Sequence, residues 1–112
     1  MASILFKVVP KPVWESATEA GFFAGHGIDL VDGFIHLSLP EQVAETLARH
    51  FVGQTELMLV TVDGEQLDEM LRFEPSRGGD LFPHVYGSIP MDAVIAAEPL
   101  MIGPDGLHVL PS

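Results

Sequence analysis

"GFIHLSLPEQVAETLARHFVG", residues 33–53, decides the fold because its period changes halfway along. Up to Leu39 the side chains alternate two by two, with Phe34, His36 and Ser38 on one face and Ile35, Leu37 and Leu39 on the other, which predicts a strand over 34–39. From Pro40 onward, apolar groups recur at 43, 44, 47, 48 and 51 behind acidic Glu41, and Gly53 ends the run. This pattern predicts a helix over 40–52. A strand that feeds a helix and carries a histidine between two apolar residues gives both a fold element and a place to look for a site.

Working outward, "ILFKVV" (4–9) reads as a first strand closed by "PKP", and Pro12 suits the first turn of a helix, where its missing N–H costs nothing. Val13, Trp14, Ala17, Ala20 and Phe23 then recur at helical spacing within 13–25, with Gly21 and Gly25 weakening or ending the helix. "HGIDLVDG" carries turn residues. "ELMLVTVD" (56–63) is a nearly unbroken apolar run with β-branched residues, as expected of a central strand covered on both faces. "GEQLDEMLRFE" predicts a helical turn or two with Leu67, Met70 and Leu71 inward, then an extended stretch ended by Pro75. "PSRGGD" (75–80) is a loop by composition, and "LFPHVYG" a strand interrupted by Pro83, hence an edge or a bulge. "VIAAEPLMIG" and "LHVLP" pair as a hairpin around Pro104, Asp105 and Gly106. Strands at both ends and two main helices in the first half predict an α+β domain over residues 1–112, with a curved, mostly antiparallel sheet.

Five Lys plus Arg against sixteen Asp plus Glu give a formal charge of −11, which repels phosphate backbones and anionic lipid surfaces. Nucleic acid and membrane are therefore excluded as expected partners. A small anionic molecule is not, because salt limits the repulsion to a range of about 8 Å. The chain has no cysteine, so disulfides, thiolate metal sites and a cysteine nucleophile are ruled out. With no signal-like or spanning apolar run, the expected location is the cytoplasm. Nothing in the composition sets the oligomeric state.

Five histidines invite a metal, but His26, His36, His50, His84 and His108 show no H-x-x-H or H-E-x-x-H spacing, so no metal site is expected. His50 sits where an imidazolium complements a helix C-terminus. Ser38 lacks the G-x-S-x-G setting of a hydrolase nucleophile and is well placed to cap the following helix. Arg77, beside two glycines, is a candidate for contact with an anion. The most informative pair is "GFIHLS" with "FPHVYG", residues 82–87: each places an imidazole in a segment fit for burial, and Tyr86 shares the face of His84 by alternation. Convergent polar groups in an apolar setting mark a pocket. Two structurally satisfied core histidines are the alternative.

These two motifs, with "EQVAETLARHF", "LMLVTVD" and the spacing from Glu74 to Gly87, resemble the bacterial family catalogued as domain of unknown function 952, over nearly the whole chain. That family is grouped with the ADP-ribosyltransferase-like fold, so the resemblance implies a curved, split sheet whose cleft holds NAD or a related nucleotide-like molecule. By the same resemblance, the reaction would be cleavage of the nicotinamide glycosidic bond or transfer of ADP-ribose, with NAD as substrate and no cofactor required. Carried over residue by residue, His36 resembles the strand histidine that anchors ribose, Ser38 its hydroxyl neighbour, Tyr86 a ring-stacking residue and Glu74 the group that stabilises positive charge as nicotinamide leaves. His36 and Glu74 are thus the catalytic candidates, and Ser38, Arg77, His84 and Tyr86 the ligand-binding ones. Two departures stand out: Lys7 replaces a more typical histidine or arginine, and no glutamine or glutamate precedes a catalytic glutamate by two residues on a late strand. A non-catalytic ligand-binding or interaction module is the other reading.

Overall fold

The computed structural model describes residues 4–110, the Arg77 side chain excepted. The first strand and helix meet at prolines: β1 (Ile4–Pro10) runs into α1 (Lys11–Ala20), with Pro12 in the first turn. The helix ends earlier than the periodicity predicts, because Gly21 takes a left-handed conformation (φ 90°) and its N–H bonds the Ala17 carbonyl. The next residues become β2 (Phe22–Phe23). Where the sequence predicts only a turn, a five-residue helix forms, α2 (Ile28–Asp32), set between Gly27 (φ 62°) and Gly33 (φ 84°).

β3 (Ile35–His36) is shorter than the predicted strand, and α3 (Val43–His50) shorter than the predicted helix. At the entrance to α3 the Gln42 side chain intervenes: its Oε1 accepts from the Leu39 N–H (2.9 Å) and its Nε2 donates to the Leu81 carbonyl (2.8 Å). The chain continues through β4 (Leu57–Asp63), a 3₁₀ segment over Gly64–Met70, β5 (Leu71–Pro75), β6 (Leu81–Val85), β7 (Ile89–Pro90), β8 (Val94–Ile102) and β9 (His108–Val109). Leu67 of the 3₁₀ segment is fully buried, as its sequence position predicts.

The strands form sheets ordered β1-β4-β8-β9 and β3-β6-β5, with a small β2-β7 ladder, all antiparallel among the described residues. β4 is central and covered on both faces. Its Val60 and Val62 enter a core with Trp14 and Ala17 of α1, while Leu57 and Leu59 join Val43 and Leu47 of α3. The hairpin of β8 and β9 closes as predicted, with the Gly103 N–H bonded to the Leu107 carbonyl (2.8 Å).

β6 is a correction: the strand interrupted by proline lies not at an edge but in the middle of its sheet. Pro83 is tolerated there because it falls where β3 stops. The register that pairs His36 with His84 sets Leu37 opposite Pro83, and the Leu37 N–H donates to the Pro83 carbonyl at 2.9 Å. Proline has no N–H for the reciprocal bond, so the ladder ends. One residue later Ser38 exchanges two backbone bonds of 2.8 Å with Phe6 of β1. Residues 35–38 therefore leave one sheet and join the other, producing a curved, split antiparallel surface.

Gly87 follows β6 at φ 154°, and a Cβ there would overlap the Met70 sulfur. Gly87→Ala is expected to cost about 1–3 kcal/mol, mostly backbone strain since the methionine can move. Urea unfolding would measure it, and a loss well below this range would show the backbone relaxing without strain.

Candidate functional site

The split between β1 and β3 sets the site. Asp29, brought in by α2, is only 3% exposed and gathers four donors around it. Its Oδ1 lies 2.7 Å from His36 Nδ1 and accepts the His36 backbone N–H at 3.0 Å, Oδ2 accepts the His26 N–H at 3.0 Å, and Lys7 Nζ reaches within 2.9 Å. Burial alone would raise this carboxyl, but the His36 ring bond, the Lys7 charge and the His36 amide outweigh it and hold the group at about 2. Burial pushes the Lys7 ammonium down from its ordinary value, and Asp29 offsets part of that. Lys7 also donates to the His36 carbonyl (3.0 Å), tying β1 to β3.

The second ring nitrogen of His36, Nε2, sits 2.9 Å from Asp32 Oδ2. Carboxylate oxygens only accept, so both bonds form together only with the doubly protonated ring. His36 is thus held by a carboxylate at each ring nitrogen.

Across the ladder, His84 Nδ1 lies 2.7 Å from Glu74 Oε1, and the Tyr86 hydroxyl donates to the same oxygen at 2.8 Å. The bonds from His84 and Tyr86 hold the Glu74 carboxyl below its usual range, and donating to Glu74 raises the Tyr86 phenol. Phe34 packs against the rings of His36, His84 and Tyr86 at centroid distances of 4.6, 4.2 and 5.1 Å, and the Arg72 guanidinium lies 5.1 Å over Tyr86. The shared face read from the sequence for His84 and Tyr86 is present, as is that for Phe34 and His36.

A cleft of about 320 Å³ opens between β1, β3, β6 and α3. Three predicted residues line it: His36, Ser38 and His84. Ser38 does not cap α3; its hydroxyl pairs with that of Thr46 at 2.9 Å, and the helix has no side-chain cap. Glu74 and Tyr86 are not in the lining; Glu74 bonds the lining residue His84, and Tyr86 bonds Glu74. Arg77 belongs to a 3₁₀ turn, and its side chain lies outside the described residues. The ionisable lining consists of Lys7, His36, His50 and His84, with no carboxylate, in a chain of net charge −11.

Asp29 and Asp32 were missed because "IDLVD" reads as a turn. The available signal was their spacing, which places two carboxylates on one helix face just before a strand histidine.

A family model described as "Protein of unknown function (DUF952)" matches residues 8–97. The crystal structure of protein CC0527 from Caulobacter crescentus is similar at 40% identity and a TM-score of 0.91, covering 96% of this chain and 94% of that one. The solution NMR structure of the same protein is similar at 41% identity and a TM-score of 0.83, covering 93% and 90%. No curated protein matches the chain.

Proposed function

The chain belongs to the DUF952 family of proteins of unknown function, and from that premise we propose that its cleft binds a small, anionic, nucleotide-like molecule, NAD or a relative of it. The observation that carries this reading is the charge of the lining: Lys7 and three histidines, with no carboxylate, inside an acidic protein. Ser38, Thr46 and Ser76 add hydroxyls suited to phosphate or ribose, while Phe6, Phe51 and Phe82 provide apolar and aromatic surface for a base. The volume is at the small end of ligand pockets, about 300–1,000 Å³, and suits one nucleotide half with the remainder of a dinucleotide outside. The split between β3 and β1 supports placing the fold beside the ADP-ribosyltransferase-like folds, an analogy of architecture rather than of chemistry. Cleavage of the nicotinamide bond or ADP-ribose transfer would require a carboxylate beside the scissile bond. Glu74 is instead outside the lining and engaged with His84 and Tyr86, which favours binding as the reading.

The test is a titration of the ¹⁵N-labelled protein with NAD and with AMP, followed by backbone NMR. Saturable shifts confined to residues 6–8, 36–38, 82–84 and the end of α3 are the expected result. His50→Glu, which puts a negative charge on the rim, should weaken binding about tenfold, near 1.4 kcal/mol. Spectra unmoved at millimolar nucleotide would sink the reading.

A further inference from the structure

We propose that His84 is the acid–base residue of the cleft, that Glu74 is its positioning residue, and that the group His84 meets is a hydroxyl of the ligand or a water. The inference rests on the reading that the cleft takes a nucleotide-like ligand, and it adds what the cleft does to that ligand.

Two of the cleft's histidines, His36 and His84, sit 5.3 Å apart between ring centroids but are wired differently. His36 has both nitrogens committed to carboxylates, Asp29 and Asp32. His84 has one. Its Nδ1 faces Glu74 at 2.7 Å, and since an ionised carboxylate only accepts, the proton of that bond belongs to Nδ1. In the neutral ring the lone pair is then on Nε2, which has no hydrogen-bond partner among the described residues. His84 is 5% exposed, and its ring lines the cleft. A buried polar atom without a partner inside a polar-lined cavity is a position for a ligand group.

The supports are also in place. Tyr86 donates to the same Glu74 oxygen, Arg72 lies over Tyr86, and Phe34 packs on the His84 ring, so the imidazole is held by Glu74 from β5 and by Phe34 from the segment before β3. The charged and titratable groups around it are Glu74 and Arg72 from β5, Tyr86 just after β6 and His36 from β3. This is the arrangement in which a carboxylate fixes the tautomer of a histidine and balances the charge it acquires. In the step itself, the proton of an O–H bond passes to the Nε2 lone pair, the oxygen retains the bonding electrons, and the new imidazolium sits against the Glu74 carboxylate.

The experiment is a long-range ¹H–¹⁵N correlation of the histidine rings at neutral pH, in the native protein, Glu74→Ala and Glu74→Asp, before and after adding AMP. The expected native spectrum shows His84 with a proton on Nδ1 and none on Nε2. Glu74→Ala should redistribute the proton between the nitrogens, and Glu74→Asp should largely restore the native pattern. AMP should shift Nε2, and His84→Phe, which keeps a ring but removes the acceptor, should bind AMP about tenfold more weakly. A native ring already protonated on Nε2, or one indifferent to Glu74→Ala, overturns the assignment whatever AMP does. AMP that leaves all cleft signals unmoved overturns the binding reading instead, and the two failures are distinguishable.

Discussion

Replacing Asp29 with alanine should remove about 3–5 kcal/mol of folding stability, because it strips the partner from a buried ammonium and from the His36 ring at once. For a domain of this size each kcal/mol moves the midpoint by about 4–8 °C, so the melt should fall by at least about 12 °C. A fall of only a few degrees would mean that Lys7 and His36 find water or other partners. The same group gives the protein an acid limb. Its folded value of about 2 lies below the ordinary 3.8, so its contribution is fully present above pH 4 and disappears as pH falls through 2. That contribution is about 2 kcal/mol at neutral pH. In Asp29→Asn the drop between pH 4 and 2 should be smaller by this amount, as measured by urea unfolding at each pH.

The second large effect is expected from Leu67→Ala. Leu67 is fully buried in a core that includes Leu5 and Val62 from one sheet and Ile35 and Val85 from the other. Truncating a large buried side chain costs about 2–5 kcal/mol, the higher values applying where neighbours cannot collapse into the space. Here the neighbours belong to two sheets and to the β2-β7 ladder, through Phe23 and Ile89, so collapse would mean moving one against another. The upper half of that range is expected by denaturant titration, together with broadened signals from the cleft walls. A loss below about 1 kcal/mol would show that the sheets close up freely.

Much of this architecture is legible in the sequence where local pattern and tertiary burial agree. β4 is covered on both faces because its apolar residues feed two cores, and α3 buries Val43 and Leu47 as its spacing requires. The errors arise where a tertiary bond decides the outcome. Pro83 suggests an edge strand until Leu37 is known to sit opposite it. "IDLVD" lacks helical length, and forms a turn of helix because Asp29 anchors it to Lys7 and His36, residues 22 and 7 positions away. At the site, alternation was enough to unite His36 with Ser38 and His84 with Tyr86, since a strand's period is local. It could not show that Glu74 would turn toward His84 and Tyr86 rather than into the cleft, because that depends on the pairing of β5 with β6.

The carboxylate-free lining, with Lys7 in it, also has a kinetic meaning, because it sits within a chain of net charge −11. An anion approaching from bulk first meets the field of the whole molecule, which turns it away, and experiences the cleft's attraction only within about a Debye length, roughly 8 Å at physiological salt. Most charged sites capture ligands more slowly as salt is added. If the cleft takes the anion proposed for it, moderate salt should remove the outer barrier before it weakens the inner attraction, so association should be fastest at intermediate ionic strength and slow in dilute buffer.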